Sequence, residues 1–178
     1  LPLALNQHLP PDIRALEARV VPDDFHARYA AHTKTYLYRI HNSQIDSPFA
    51  ARYYTKVPGR LDADKMQQAA QYFVGKHDFL ALCASGSSAA AHGDTVRTIT
   101  ACVVERKGDE VEITVTADGY LYNMVRILAG TLCEAGAGRL APEAVPGILA
   151  SRDRKNAGPT LAAKGLFLKS VDYDTPIE

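Results

Sequence analysis

The sequence predicts an α+β fold of the ferredoxin-like, split βαβ kind, an antiparallel sheet with helices on one face. Three observations predict it. Apolar residues recur at helical spacing in two well-separated stretches, 62–74 and 121–135; several shorter runs alternate with a period of two, and two of these are joined by a brief polar link. The order from residue 34 onward is strand, helix, strand, strand, helix, strand, with an extra strand near 54 and an extra helix near 146. With 47% hydrophobic content over 178 residues, the chain can bury roughly 70% of the surface that its unfolded form exposes, so one main domain is expected.

The first thirty residues hold Pro2, Pro10, Pro11 and Pro22 and one candidate strand, 13–21. Residues 1–30 are therefore expected to be the end of a preceding unit and a linker, and 31–178 the main α/β domain. In 34–40 the aromatics Tyr36 and Tyr38 share a parity with Ile40, which is the pattern of a strand, and a second short strand is expected within 52–57. Residues 62–74 place Met66, Ala69, Ala70, Phe73 and Val74 at helical spacing, with Asp62 as cap and Gly75 as stop. A flexible segment, 85–94, precedes the β-rich runs 96–105 and 110–116, a hairpin around Arg106, Lys107, Gly108 and Asp109. In the second run Val111, Ile113 and Val115 alternate with Glu112, Thr114 and Thr116, so one face is buried and the other meets solvent or a ligand. Next, 121–135 sets Leu121, Val125, Leu128 and Leu132 on one stripe and ends at Gly136. A shorter helix over 142–150 opens on Pro142, and a strand over 166–173 closes the pattern.

Composition excludes several functions. No run of about 18 apolar residues occurs, and the amino end LPLALNQHLPPDIR lacks a signal-like apolar stretch, so a soluble, cytoplasmic chain is expected with no membrane partner. Cys83, Cys102 and Cys133 are far apart and lack CxxC spacing, which points to reduced structural thiols and to no metal site. The glycines near Gly136 and Gly138 fit no phosphate loop, and no nucleophile elbow is present, so no nucleotide cofactor is expected. Twenty basic residues balance twenty acidic ones, which argues against a nucleic acid held by bulk charge. Local patches remain: His26, Arg28, His32 and Lys34 in one stretch, and Arg152, Asp153, Arg154 and Lys155 in another. Taken alone, a solvated surface is the commoner reading of such runs, and His26 and His32 lack the spacing of a metal pair.

Two features resist explanation by packing. The strand Lys34, Thr35, Tyr36, Leu37, Tyr38, Arg39 puts two aromatics on one face with basic residues close by, although a core position is the commoner fate of a residue such as Tyr36. In Tyr120, Leu121, Tyr122, Asn123, Met124, Val125, Arg126 an arginine lies one position from an apolar helix stripe. A buried charge needs a partner, since leaving it unpaired out of water costs several kcal/mol. No acid in the sequence is an evident one.

The segments LNQHLPPDI, FHARYAAHTKTYLYRI, TVRTI, GYLYNMVRILAGTLCEAGAG, RDRKNAGPT and GLFLKSVDY resemble, in order and spacing, the TruA family of tRNA pseudouridine synthases, from about residue 5 to 173. Departures are local: Leu161 and Ala162 replace a small residue and a proline usual after AGPT, and Leu82 stands where an aromatic is usual. The family's catalytic aspartate sits in an arginine, threonine, aspartate, alanine block ahead of the LNQHLPPDI equivalent. No such block occurs here, and Asp12 and Asp23 match other segments. The resemblance thus implies the carboxy-terminal two-thirds of such an enzyme: residues 1–30 a remnant of the catalytic amino-terminal half, and 31–178 half of a pseudouridine synthase fold.

It further implies an isomerase without cofactor that flips a uridine at position 38 to 40 of the tRNA anticodon stem-loop, breaks its glycosidic bond, turns the base and forms a carbon–carbon bond to the ribose. Tyr36 matches the stacking tyrosine and Arg126 the cation that pairs with the catalytic aspartate, while His26, Arg28, Lys34, Arg152, Arg154 and Lys155 would contact RNA. A homodimer is implied as well. Without the aspartate this chain is expected to be inactive alone, and Arg126→Met is expected to leave its stability unchanged or improved. A stand-alone RNA-binding module is the alternative, but VRTITACVV and EVEITVT lack the aromatic and glycine signature of a free RNA-recognition strand.

Overall fold

A computed structural model describes residues 1–45 and 47–173, which form two compact units: Leu1–His32 with Tyr173–Glu178, of whose tail only Tyr173 is described, and Thr33–Asp172. The first unit holds a short helix, α1 (Pro2–Asn6), with Pro2 in the first turn, where its missing N–H leaves no bond unmade. The Asn6 side chain donates to the Ala15 carbonyl and accepts from the Ala15 N–H, each at 2.8 Å, closing residues 6–15 into a loop. The strand expected over 13–21 is absent: these residues form no ladder, and Leu16 and Val20 are 91% and 95% exposed. A strand needs a neighbour for its backbone groups, and a row of apolar residues without one stays merely extended. Later in the same unit the Phe25 and Tyr173 rings lie 5.1 Å apart, and the Tyr173 hydroxyl donates to the Ala27 carbonyl.

The second unit is organised around β1 (Ala31–His41). A two-residue strand, β2 (Thr55–Lys56), lies parallel to the end of β1, with Ile40 opposite Thr55. Helix α2 (Ala63–Gln71) starts as expected at Asp62, whose carboxylate accepts from the N–H groups of Asp64 and Lys65. It stops three residues before the expected end, and Gly75, at φ +114°, opens a strand instead of ending a helix: β3 (Gly75–Asp78). A short helix, α3 (Ser88–Ala91), interrupts the segment expected to be flexible, with the Ser87 hydroxyl accepting from the Ala90 N–H. Strands β4 (Val96–Lys107) and β5 (Glu110–Ala117) form the expected hairpin, tighter than the sequence suggested, with Lys107 facing Glu110 across a loop of Gly108 and Asp109. Gly108 takes φ +62°, a conformation that favours glycine and lets the loop be this short.

Helix α4 (Met124–Gly136) begins three residues later than expected, because Tyr122 and Asn123 form a turn and Asn123 takes the left-handed conformation at φ 59°. The expected helix over 142–150 divides into a 3-10 turn, Pro142–Ala144, and α5 (Val145–Ser151), with Pro146 in the first turn of the latter. Strand β6 (Leu166–Tyr173) pairs with β1 and agrees with expectation. The sheet reads β2-β1-β5-β4-β3, with β6 also beside β1. Along β6, β1, β5 and β4 this is the strand order of the split βαβ topology, with α2 and α4 supplying its helices.

One sheet face carries the core. Tyr38 and Ile40 of β1, Val111, Ile113 and Val115 of β5, and Ile99 and Cys102 of β4 form one buried cluster with Met66, Ala69, Ala70 and Phe73 and with the inner side of α4. Helices α2 and α4 approach closely where Gly136 faces Met66, and the Asp62 N–H donates to the Gly136 carbonyl at 2.8 Å. Cys83, Cys102 and Cys133 are all free and buried, and burial pushes the thiols of Cys102 and Cys133 up to about 12. The other sheet face is polar: Glu112 bonds to Lys107 at 2.9 Å and to Arg39 at 3.1 Å, and the Arg39 guanidinium lies over the rings of Tyr54 and Phe167.

Candidate active site

The alternation of β1 places Lys34, Tyr36 and Tyr38 on the core side of the sheet, opposite Ala117, Val115 and Ile113 of β5. Tyr38 and Ile40 are fully buried, and Tyr36, nearer the start of the strand, is half-buried. The Tyr36 and Tyr120 rings lie 4.9 Å apart at 88°, the T-shaped arrangement in which the positive edge of one ring meets the negative face of the other. Tyr120 is itself fixed, its hydroxyl 2.9 Å from the Lys34 carbonyl and 2.8 Å from the Val115 carbonyl. Burial raises the Tyr120 hydroxyl pKa well above its ordinary value, so it remains a neutral donor. A strand aromatic is thus held on one side and half-accessible on the other.

Arg126 lies in the first turn of α4 and is half-buried. Its Nε–H donates to the Leu161 carbonyl at 2.6 Å, and Nη1 donates to the Asn123 side-chain oxygen at 2.9 Å. The Leu161 N–H returns a bond to the Arg126 carbonyl at 3.3 Å. Among the described residues no carboxylate is paired with Arg126. The sequence offered no evident acid as partner, and the partners found are neutral acceptors, one of them a backbone carbonyl that no residue type announces. With Nε and one Nη1 proton engaged, the outer Nη1 and Nη2 edge of the guanidinium is left to meet a planar anion.

Residues 157–165 hold this arrangement against two elements at once. Gly158 donates its N–H to the Thr131 hydroxyl at 2.9 Å, and the hydroxyl in turn donates to the Ile127 carbonyl. A Cβ on Gly130 would fall 1.9 Å from the Pro159 carbonyl oxygen, and one on Gly158 would fall 2.4 Å from the Thr131 nitrogen. Both glycines are therefore required by backbone-to-backbone contact. Further along, the Ala162 carbonyl accepts from the Tyr38 hydroxyl at 2.6 Å, and a Cβ on Gly165 would crowd the Arg39 carbonyl and the Thr55 hydroxyl. Tyr38 also bonds to Thr55 at 2.7 Å, and burial lifts its hydroxyl to about 12.

Of the remaining candidates, Arg152 and Arg154 line one surface pocket. Arg152, in the left-handed conformation at φ 54°, pairs with Asp78 at 3.0 Å. Arg154 donates to the Ala157 carbonyl and the Thr160 hydroxyl, in the loop that leads to Leu161, and Lys155 is exposed. Lys34 lies on the same strand face as Tyr36. His26 and Arg28 are exposed in the first unit, where the His26 Nδ1 accepts from the Arg28 and Tyr29 N–H groups and the Arg28 guanidinium lies 5.6 Å from the Tyr29 ring centre. Among the described residues no three His, Cys, Asp or Glu side chains are grouped to hold a metal. Sequence reasoning did not assign Asn123, Tyr120 and Tyr38 as supports; a polar residue beside a helix start was a signal for the first, Tyr38 stood out only as the second aromatic of its strand face, and nothing in the residue pattern marked Tyr120.

A family model described as tRNA pseudouridine synthase matches residues 69–174. The tRNA pseudouridine synthase A of Moorella thermoacetica is 48% identical over 172 residues, 97% of this chain and 69% of that protein. Those of Acetivibrio thermocellus and Bacillus pumilus are 48% and 43% identical, covering 96% and 97% of this chain and 68% and 69% of their own lengths. Such identity along nearly the whole chain includes the strand of Tyr36, the helix of Arg126 and the loop that ties Arg126 down, and this chain belongs to the tRNA pseudouridine synthase family.

Proposed function

We propose that this chain supplies the uracil-stacking and cationic half of an active site that isomerises uridine to pseudouridine at positions 38 to 40 of the tRNA anticodon stem-loop. The observation that carries the reading is Arg126: a half-buried guanidinium anchored by two neutral acceptors, its outer edge unpaired with any carboxylate among the described residues. Substrate and product are isomers, so neither an oxidant nor a group donor enters the balance, and no cofactor is needed. Flipping a uridine costs unstacking energy of about a few kcal/mol, which a ring such as Tyr36 offsets by stacking on the freed base. The carboxylate comes from a segment outside this chain, in keeping with its span of about 69% of the relatives' length. Opposite Arg126 that carboxylate would be kept ionised, ready to act at the ribose or the base. Lys34, Arg152, Arg154 and Lys155, with His26 and Arg28, are proposed phosphate contacts, and the working form is proposed to be a cytoplasmic homodimer; among the described residues no helix is long and apolar enough to cross a membrane.

The test is to incubate tRNA with the purified chain and assay pseudouridine. No product is expected from the chain alone, and product is expected once the aspartate-bearing segment of a relative is fused ahead of Leu1. Product from the chain alone would refute the division of labour proposed here.

A further inference from the structure

Arg126 owes its direction to a carbonyl, and that carbonyl belongs to a loop with no regular structure of its own over 157–162. A loop peptide can rotate unless something fixes it. Here the next carbonyl along, that of Ala162, is held by the Tyr38 hydroxyl at 2.6 Å, with the Thr55 hydroxyl 3.4 Å from it. Tyr38 is fully buried on β1, paired across the ladder with Ile113 of β5, and Gly165 packs against both its ring and Thr55. The order of contact therefore runs from the sheet through Tyr38 to Ala162, through one peptide to Leu161, and from Leu161 to the guanidinium. On the helix side Asn123 holds the other end of Arg126 in a left-handed conformation that a non-glycine residue adopts only at a cost.

We propose that Tyr38 is a positioning residue for Arg126, acting through the Leu161–Ala162 peptide. Thr55, 2.7 Å away, could by itself have satisfied the hydroxyl of a core tyrosine; instead the single Tyr38 proton goes to the Ala162 carbonyl, and Thr55 is left to donate to the Tyr38 oxygen. The Ala162 contact adds a fixed point on the loop, at the residue adjoining the one that orients the cation. The geometric statement stands without any assumption about chemistry; its consequence for catalysis rests on the proposed role of Arg126.

The test reads the solvent exchange of the Arg126 Nε–H proton by NMR in this chain. Tyr38→Phe keeps the ring and removes only the hydroxyl, and exchange at Nε–H is expected to quicken about tenfold, the factor that corresponds to one ordinary hydrogen bond. Tyr54→Phe, which removes a hydroxyl bonded to Glu110, is expected to leave it within about twofold. Nε–H exchange unchanged by Tyr38→Phe would overturn the proposal, and so would a rise shared equally by the backbone amides of α4. Ala162→Pro is an independent variant: Ala162 already has φ −61°, the angle a proline ring imposes, so the loop should stiffen and the same exchange should slow. Faster exchange there would count against the proposal. Kinetics of the enzyme fused to the aspartate-bearing segment separate the two readings. If Arg126→Lys leaves pseudouridine formation intact, the catalytic role of Arg126 fails while the exchange result still decides the role of Tyr38. If both hold, Tyr38→Phe lowers kcat at unchanged KM, and its effect vanishes in the Arg126→Lys background.

Discussion

At Arg126 a guanidinium, a backbone carbonyl and an amide side chain meet at the margin of an apolar core, and the balance of their interactions has a measurable sign. A buried charge without a partner is relieved by an apolar replacement, whereas one that donates two hydrogen bonds is not. Because Leu161 and Asn123 accept from it, Arg126→Met is expected to lower the unfolding free energy by about 1–2 kcal/mol. Urea unfolding of the two proteins checks this, and an unchanged or raised midpoint would show that the two bonds contribute nothing net. Arg126 was legible in the sequence because a cation beside an apolar stripe is an anomaly that asks for a reason. Its acceptor was not, since any residue at position 161 presents the same carbonyl. Tyr36 was legible only through its neighbours in the motif, as an aromatic on the core parity of a strand is otherwise unremarkable.

At the scale of elements, the contact between α4 and the loop that follows α5 is made by two glycines where backbone touches backbone. Gly130→Ala puts a methyl group into the Pro159 carbonyl, so either the helix or the loop must move, and a loss of more than about 3 kcal/mol is expected, read as a lowered Tm. The hairpin of β4 and β5 offers a second expectation, in pH. Its Glu112 carboxyl is held below the ordinary glutamate range, first by the hydrogen bond from Lys107 and then by the Lys107 and Arg39 charges. A carboxyl depressed in the folded state stabilises fully above its unfolded pKa and loses that contribution as pH falls through the folded one. Acid unfolding should therefore be shallower in Glu112→Gln than in the parent between pH about 5 and 3. The main elements follow from periodicity, and the strands and helices of the split βαβ order sit where apolar spacing puts them. β3 escapes that signal because Lys76, His77 and Asp78 carry no alternation and are recruited by the neighbouring β4. The converse failure, residues 13–21, shows the same dependence: local pattern proposes a strand, and only a partner makes one.

For the molecule as a whole, zero net charge limits what any RNA contact can draw from long-range attraction. Of the proposed phosphate contacts, Arg152 is engaged with Asp78 and Arg154 with its own loop, so each must give up a partner before it can displace counterions. Binding of an anticodon stem-loop to this chain is expected to be weak and to fall as salt rises, with a shallow logarithmic slope; titration at two salt concentrations checks it, and tight binding indifferent to salt would refute it. The three cysteines carry a different consequence. Cys83 lies beside the turn that follows β3, Cys102 on β4 and Cys133 on α4, so each sits in a separate piece of the second unit, and all three are shielded from reagents while the fold is closed. They make the protein its own stopwatch: a thiol-modifying dye should react with each only when its piece opens, and the sequence of labelled sites, read by mass spectrometry, would rank which part of the architecture gives way first.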